Sequence, residues 1–290
     1  MSVARFMRIT EVGPRDGLQN EPLAISTAAK IAFINALSQA HFAEIEVTSF
    51  VRADRIAQLA DAAQVMAGIT RAAGTVYSVL VPNERGLDGA LAAGAGKISV
   101  FVSASESFSQ RNVNASIHEC LERLRPVVCR ARAAKLPVRG YVSCVVKCPY
   151  DGAVLAEQVR QVCAQLLELG STELDLGDTI GAAVPDDMDR LLEGLESVAP
   201  PNELTLHLHN TSGRAIEVAE RAIALGVVSF DSSAGGLGGC PFAPGSPGNV
   251  ATEDMLDLAA RLGIETGVRA DQVRAATAQL RQAMTIARAS

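Results

Sequence analysis

Eight short β-rich segments alternate with Ala- and Leu-rich stretches along the 290-residue chain, and this alternation limits the folds open to it. Most of the segments are apolar in near-continuous order, which is typical of strands covered on both faces. Their starts are about 20–40 residues apart, which leaves room for one crossover helix each. Eight such units favour a (β/α)8 TIM barrel. The predicted strands are Arg8–Val12, Glu44–Ser49, Val76–Val81, Lys97–Val102, Val138–Cys144, Thr172–Leu176, Leu204–His209 and Val227–Ser232.

The stretches between these strands have helical character. Ser26 is suited to cap a helix that runs to Ala40, in which Ile31, Ile34 and Leu37 recur at helical spacing. Similar patterns predict helices over Ala153–Leu169 and Arg214–Leu225.

A doubly wound sheet is the alternative α/β architecture. It would usually show a GxGxxG turn after its first strand, and the segment Gly13–Gly17 lacks that spacing. No linker or low-complexity tract divides the chain. We therefore predict an α/β protein made of a single TIM-barrel domain, residues 1–290, with a short C-terminal helical extension.

The composition of the chain excludes several classes of binding partner. Lys and Arg total 26 against 32 Asp and Glu, a net charge of -6, so no basic domain is present to neutralise nucleic-acid phosphates. No apolar run approaches the ~18 residues of a membrane span, and the N-terminus lacks the pattern of a secretory signal. The six cysteines form no CxxC pair, so we expect reduced thiols in a cytoplasmic protein, five of them as small buried hydrophobes.

Polar residues collect where the predicted strands end. In a barrel of this type, chemistry lies at the C-terminal ends of the strands. The polar segments are residues 11–20, 46–49, 177–179, 207–210 and 235–240, the last followed by 248–249. Their positions predict one active site at this end of the barrel.

Two histidines in one tripeptide indicate a metal site. His207 and His209 are at positions i and i+2 of a predicted strand, so both imidazoles lie on the same face. Two imidazoles with a carboxylate nearby suit a divalent cation. Asp16 is the carboxylate we assign, because strands one and seven are only two steps apart in a closed ring of eight. Amidohydrolases also use a His-x-His motif, but typically on the first strand of their barrel. Here the motif lies on the seventh predicted strand, which disfavours an amidohydrolase.

Arg15, beside Asp16, is the second unusual residue. A guanidinium that enters an otherwise apolar barrel needs a negative partner. One interpretation is an ion pair with Glu46, Asp178 or another carboxylate of the barrel. The other is a fixed cation for an oxyanion that develops during a reaction, such as a carbonyl becoming an enolate.

At these residues the sequence resembles the 3-hydroxy-3-methylglutaryl-CoA lyases, members of a superfamily of metal-dependent lyases and Claisen-condensing barrels. Several long motifs, in the correct order between residues 8 and 265, carry the resemblance. They are EVGPRDGLQNE at 11–21, EVTSFV at 46–51, SASESFSQRNVN at 103–114, YVSCVVKCPYDG at 141–152, LGDTIGAAVP at 176–185, HLHNTSG at 207–213 and DSSAGGLGGCPFAPGSPGNVATED at 231–254.

The resemblance implies cleavage of a 3-hydroxy-3-methylglutaryl thioester into acetyl-CoA and acetoacetate, in leucine or related branched-acid breakdown. It implies a divalent cation, Mg²⁺ or Mn²⁺ with Zn²⁺ as an alternative, and an acyl-CoA substrate, and it suggests a homodimer. By motif position it implies these roles: Asp16, His207, His209 and Asn249 on the metal, Gln19, Glu46, Ser49 and Thr179 in the substrate pocket, and Arg15, Asp16, His207 and Cys240 in catalysis.

Within this scheme, Arg15 stabilises the enolate and Cys240 protonates it from a Gly-rich lid. His207, Asp16 or a metal-associated water is the base that takes the hydroxyl proton. Asp175 stands where the family commonly has a small residue, so we expect it to alter the acyl pocket. A Claisen-condensing synthase of the isopropylmalate or homocitrate type, and a non-catalytic acyl-CoA-binding barrel, are the alternatives.

Overall fold

Eight parallel strands close into a barrel, as predicted, in a computed structural model that describes residues 6–239 and 248–289. The strands are β1 Arg8–Glu11, β2 Glu44–Ser49, β3 Val76–Leu80, β4 Lys97–Ser103, β5 Val138–Ser143, β6 Glu173–Asp178, β7 Leu204–Leu208 and β8 Ser229–Ser232. Around the ring, β8 lies between β1 and β7. The ends of β1 and β7 are therefore close enough to share one site.

Helices surround the barrel on the outside. The helices are α1 Thr27–Ser38, α2 Ala62–Gly68, α3 Glu84–Ala92, α4 Glu106–Val113, α5 Ile117–Ala133, α6 Ala156–Leu169, α7 Pro185–Leu195, α8 Ala215–Ala224, α9 Thr252–Leu262 and α10 Ala270–Ala289. The C-terminal extension, α10, has 20 residues and packs against α1. No helix in the described part of the chain is long and apolar enough to cross a bilayer.

The predicted helix boundaries are right to within a few residues. The Ser26 hydroxyl accepts a hydrogen bond from the amide of Ala29, so it caps α1 as expected. Helix α6 begins later than predicted because Gly152–Ala153 pairs with Lys147–Cys148 in a short antiparallel hairpin after β5.

The strands are covered on both faces, as expected, but the inner face of the barrel is more polar than their near-continuous apolar order suggests. Along β2, Ile45 and Val47 belong to the hydrophobic core, whereas Glu44 and Glu46 accept hydrogen bonds from Arg139 and Tyr141 on β5, across the barrel. Alternation of this kind, with period two, places one set of residues on each face of a strand. The barrel is thus held by apolar packing outside and by ion pairs inside.

Arg139 on β5 is the centre of the inner polar layer. Its side chain is fully buried and donates to Glu44 and Asp231, each at 3.0 Å, and to the Thr10 hydroxyl at 3.1 Å. Lys97 lies beside it and bonds Glu44 at 2.7 Å. A buried cation is tolerated only with such partners, so the acidic residues of this layer together compensate its basic residues.

The cysteines differ partly from expectation. Cys120, Cys144, Cys148 and Cys163 are buried. Cys129 on α5 is exposed, so its assignment as a buried hydrophobe was wrong. Cys240 lies outside the described residues.

Candidate active site

Asp16, His207 and His209 come together at the C-terminal end of the barrel. One carboxylate oxygen and one nitrogen of each imidazole lie within 4.8 Å of one another. The five-residue π-helical turn Gly13–Gly17, directly after β1, carries Asp16, while β7 and its end carry the two histidines. The His207 Nε2 is 3.8 Å from Asp16 Oδ2, and the two imidazole rings are 5.3 Å apart between centroids. This arrangement offers three ligand atoms to one cation.

Asn249 completes the cluster from the chain segment that precedes α9. Its Nδ2 donates to Asp16 Oδ2 at 2.9 Å and to the Leu237 carbonyl at 3.1 Å. Its Oδ1 is buried and has no hydrogen-bond partner among the described residues, and the same holds for Nδ1 of His209. Buried polar atoms are normally satisfied, so unpaired ones beside a carboxylate fit a site that receives a cation. The donor set, one carboxylate, two imidazoles and an amide oxygen, is one that divalent metals accept.

The charges of the cluster are strongly perturbed. Burial would raise the pKa of Asp16, but Arg15 and the two histidines outweigh it and hold this pKa well below its usual range. Burial would lower the pKa of His207, but the hydrogen bond that it donates to Asp231 and the charge of Asp16 raise it to about 9. Burial and the neighbouring His207 lower the pKa of His209 to about 4. Neighbouring groups of one cluster thus have very different proton affinities, which is common at functional sites.

Arg15 is a fixed cation at the edge of this cluster. Its Nε bonds Glu46 Oε2 at 2.5 Å, its Nη1 bonds Asp16, and its guanidinium lies 5.5 Å from the Tyr141 ring centroid. Both carboxylates outweigh the desolvation that would lower the pKa of Arg15, so this pKa is raised further. Of the two proposed ion pairs, only the one with Glu46 forms, because the Asp178 carboxylate accepts the amides of residues 182 and 183.

A cavity of about 920 Å³ opens over the cluster. The predicted substrate residues Gln19, Ser49 and Thr179 line it, together with Arg15 and the metal cluster. Glu46 does not line the cavity; its carboxylate accepts a hydrogen bond from Arg15 instead. This cavity is large enough to enclose the reacting part of a sizeable substrate.

Basic side chains surround the outer part of the cavity. Arg52, Arg55, Arg111 and Arg123 line it and are exposed. Arg111 stacks over the Tyr150 ring at 4.4 Å, so its guanidinium is oriented. Exposed guanidinium groups at the entrance suit a substrate with phosphate groups.

Two site residues were missed from the sequence, and one expectation about a third was wrong. Tyr141 lines the cavity, and Asp231 bonds His207 at 3.1 Å. Both residues lie at inward-facing positions in the period-two alternation of their strands. This alternation is the sequence signal that could have identified them. Asp175 is fully buried next to Arg139 and does not line the cavity, so it does not shape the acyl pocket directly.

Comparison with known proteins agrees with this geometry. The sequence matches the HMGL-like family over residues 7–280. It is 48% identical over 263 residues, 91% of this chain and 77% of the relative, to the cytoplasmic 3-hydroxy-3-methylglutaryl-CoA lyase of Rattus norvegicus. The crystal structure of the HMG-CoA lyase from Brucella melitensis superposes with a TM-score of 0.94 at 49% identity, covering 97% of this chain and 99% of that one.

A further HMG-CoA lyase structure, from Acinetobacter baumannii, is in complex with coenzyme A and 3-methylmalate. It superposes with a TM-score of 0.92 at 34% identity, covering 98% of this chain and 93% of that one. The motifs, the barrel and these similarities agree, and the chain belongs to the HMGL-like family as one of the hydroxymethylglutaryl-CoA lyases.

Proposed function

We propose that this protein cleaves 3-hydroxy-3-methylglutaryl-CoA into acetyl-CoA and acetoacetate, or a closely related hydroxyacyl-CoA into acetyl-CoA and the corresponding oxo acid. The observation that carries the proposal is the placement of Arg15 next to the Asp16, His207 and His209 cluster, all facing one cavity. A cleavage that develops negative charge on a thioester carbonyl needs a fixed cation beside the group that binds the other half of the substrate.

A divalent cation, Mg²⁺ or Mn²⁺ first, would be held by Asp16, His207 and His209, with Oδ1 of Asn249 as the fourth protein ligand. When bound, such an ion orients the substrate and acidifies its C3 hydroxyl. The buried and unpaired Nδ1 of His209 and Oδ1 of Asn249 support this assignment.

The side chains of this protein supply the remaining chemistry. Asp16 or a water in the site takes the hydroxyl proton, since Nδ1 of His207 faces Asp231 and its Nε2 faces the metal cluster. The C2–C3 bond then breaks so that C3 becomes the ketone carbon of acetoacetate. The electron pair of that bond moves into the thioester carbonyl as an enolate, whose oxygen the Arg15 guanidinium stabilises. Protonation of C2 then gives acetyl-CoA. We assign this proton to Cys240 from its sequence position alone, since it lies outside the described residues.

The polar residues around the cavity have binding roles in this scheme. Gln19, Ser49 and Thr179 line the cavity and offer neutral hydrogen-bonding groups to the acyl chain. Glu46 acts indirectly, because its contact is with Arg15. The four arginines that line the cavity would bind the phosphates of an acyl-CoA in this scheme, and their exposure supports that role.

The direct test is an assay of acetyl-CoA release from 3-hydroxy-3-methylglutaryl-CoA with added Mg²⁺ or Mn²⁺. We expect cleavage that stops on chelation. A panel of 3-hydroxy-3-alkylglutaryl thioesters then defines the acyl preference. Absence of cleavage for every thioester would contradict the proposal, and condensation of acetyl-CoA with a 2-oxo acid would instead indicate a synthase.

The extent of the domain, the oligomeric state and the cellular role of the protein are also part of the proposal. Residues 1–290 are proposed to act as one lyase domain, and the homodimer remains a prediction. A cytoplasmic place in leucine or related branched-acid breakdown is proposed from the resemblance. Fractionation of cells and growth on leucine after gene deletion would test the last point.

A further inference from the structure

Asp231 on β8 stands directly opposite His207 on β7. The strand register pairs the two residues, and the separation between His207 Nδ1 and Asp231 Oδ2 is 3.1 Å. The other nitrogen of the ring, Nε2, is the one near Asp16, at 3.8 Å. The two ring nitrogens of His207 thus have separate partners, one on each side.

Asp231 is itself held rigidly. Arg139 Nη1 donates to its Oδ1 at 3.0 Å, and the Tyr141 hydroxyl donates to its Oδ2 at 3.0 Å. Only 2% of the Asp231 surface is exposed, and Arg139 has no exposed surface. Arg139 contacts side chains from four other strands, so the barrel itself fixes the position of this carboxylate.

The second imidazole lacks such support. Nδ1 of His209 is buried without a hydrogen-bond partner in the ranges that the structure describes. The two histidines of the cluster therefore differ in how their rings are oriented, and only His207 is oriented by a carboxylate.

We propose that Asp231 is a positioning residue for the metal centre: it accepts the Nδ1–H of His207 and so presents Nε2, with its lone pair, to the ion. This inference rests on the metal site of the proposed function. A carboxylate on the far side of a histidine ligand fixes the tautomer and the ring orientation, and loss of such a partner typically costs 10–100-fold in metal affinity.

Asp175 provides a matched control. It is an equally buried aspartate, and its Oδ2 lies 3.5 Å from Nη1 of Arg139, the same atom that bonds Asp231. One of its oxygens also lies within 4.8 Å of a ring nitrogen of His207, but none of the described hydrogen bonds joins the two residues. A comparison of the two substitutions therefore separates the hydrogen bond to the imidazole from the general effect of removing a buried carboxyl group.

The first experiment titrates Mn²⁺ into the full-length protein without substrate and measures the free ion by electron paramagnetic resonance. We expect Asp231→Asn to weaken Mn²⁺ binding by at least about tenfold and Asp175→Asn to leave it unchanged. Equal affinity of Asp231→Asn and wild type would overturn the inference while leaving the metal site intact. Equal weakening by both substitutions would also overturn it. A wild-type protein that binds no Mn²⁺ would overturn the metal site as well.

A second measurement does not depend on the folding of any variant. The chain has 4 histidines, so the imidazole nitrogens of the wild-type Mg²⁺-loaded protein can be assigned by nitrogen-15 spectroscopy. We expect one slowly exchanging, downfield-shifted Nδ1–H proton belonging to His207. A His207 with its proton on Nε2, or with a rapidly exchanging Nδ1–H, would overturn the inference.

Discussion

Arg15 shows how a charged side chain is kept in a nearly dry position. Only 6% of the residue is exposed, yet Glu46 and Asp16 both contact its guanidinium. The two carboxylates hold the guanidinium from two of its nitrogens, Nε and Nη1. The Arg15 fork is therefore already positioned where substrate charge develops, and it need not reorganise during the reaction.

Replacing Arg15 by alanine tests this role. We expect kcat to fall by about 10²–10³, the usual cost of losing one donor to a developing oxyanion. Mn²⁺ affinity should be retained, because Arg15 contributes repulsion rather than a ligand. Steady-state kinetics and a Mn²⁺ titration of the same preparation make the measurement. A decrease in kcat that merely follows weakened metal binding would contradict the assignment.

Cys240 is the other single residue whose role can be measured. If it protonates the enolate carbon, Cys240→Ala slows turnover while the fold and Mn²⁺ affinity remain. Cys129→Ala is the matched control, because it makes the same substitution at an exposed cysteine on α5. Unaltered turnover in Cys240→Ala would remove this residue from the mechanism.

The turn after β1 is the element that delivers both Arg15 and Asp16. Its Gly17 packs so closely on the segment after β8 that an added Cβ would lie 2.8 Å from Ser233 Oγ and 2.9 Å from Leu237 Cβ. The Leu237 carbonyl also accepts the hydrogen bond from Asn249. The metal cluster therefore depends on the contact between these two segments.

Gly17→Ala should separate the two segments. We expect a loss of about 1–3 kcal/mol in the free energy of unfolding, the usual cost of overpacking, together with weaker Mn²⁺ binding. Gly96→Ala is the control, since a Cβ there would make only ordinary contacts of 3.4 Å or more. Denaturant unfolding and Mn²⁺ titration of both variants give the result, and unchanged metal binding in Gly17→Ala would show that the contact is not required.

The whole barrel is sensitive to pH through a carboxyl group that joins three of its parts. Glu11, at the end of β1, accepts the amides of Gly13 and Ala234 at 2.8 and 2.9 Å and the hydroxyl of Thr252 on α9 at 2.8 Å. Burial raises the pKa of Glu11 from 4.5 to about 8, despite the lowering effect of these hydrogen bonds. Between these two pH values the folded state keeps a proton that the unfolded state releases.

The contribution of Glu11 to the stability of the metal-free protein should therefore fall as pH rises from 4.5 to 8. The contribution of Glu11 is fully present below pH 4.5 and is lost as pH rises through about 8, with a slope of up to about 1.4 kcal/mol per pH unit. Glu11→Gln carries no titrating proton, so its free energy of unfolding should depend less on pH in this window. Parallel curves for the two proteins, measured by urea unfolding with a chelator present, would contradict the prediction.

The architecture and the location of the site followed from local patterns. The β/α alternation predicted all eight strands, and the strand-end rule placed Asp16, His207 and His209 at one end of the barrel. These features depend on residues near each other in the chain, or on a geometry shared by every barrel of this type. Local periodicity and strand-end position are therefore enough to predict them.

The partners inside the barrel were decided only by the tertiary structure. Arg139 bonds Glu44, 95 positions away, and Asp231, 92 positions away, and no local pattern states which carboxylate a buried arginine will meet. Asp175 shows the same limit, because its sequence position suggested the substrate pocket whereas strand register placed it beneath that pocket against Arg139. Strand register and barrel closure bring distant side chains together, and the high cost of an unpaired buried charge then determines which pairs form.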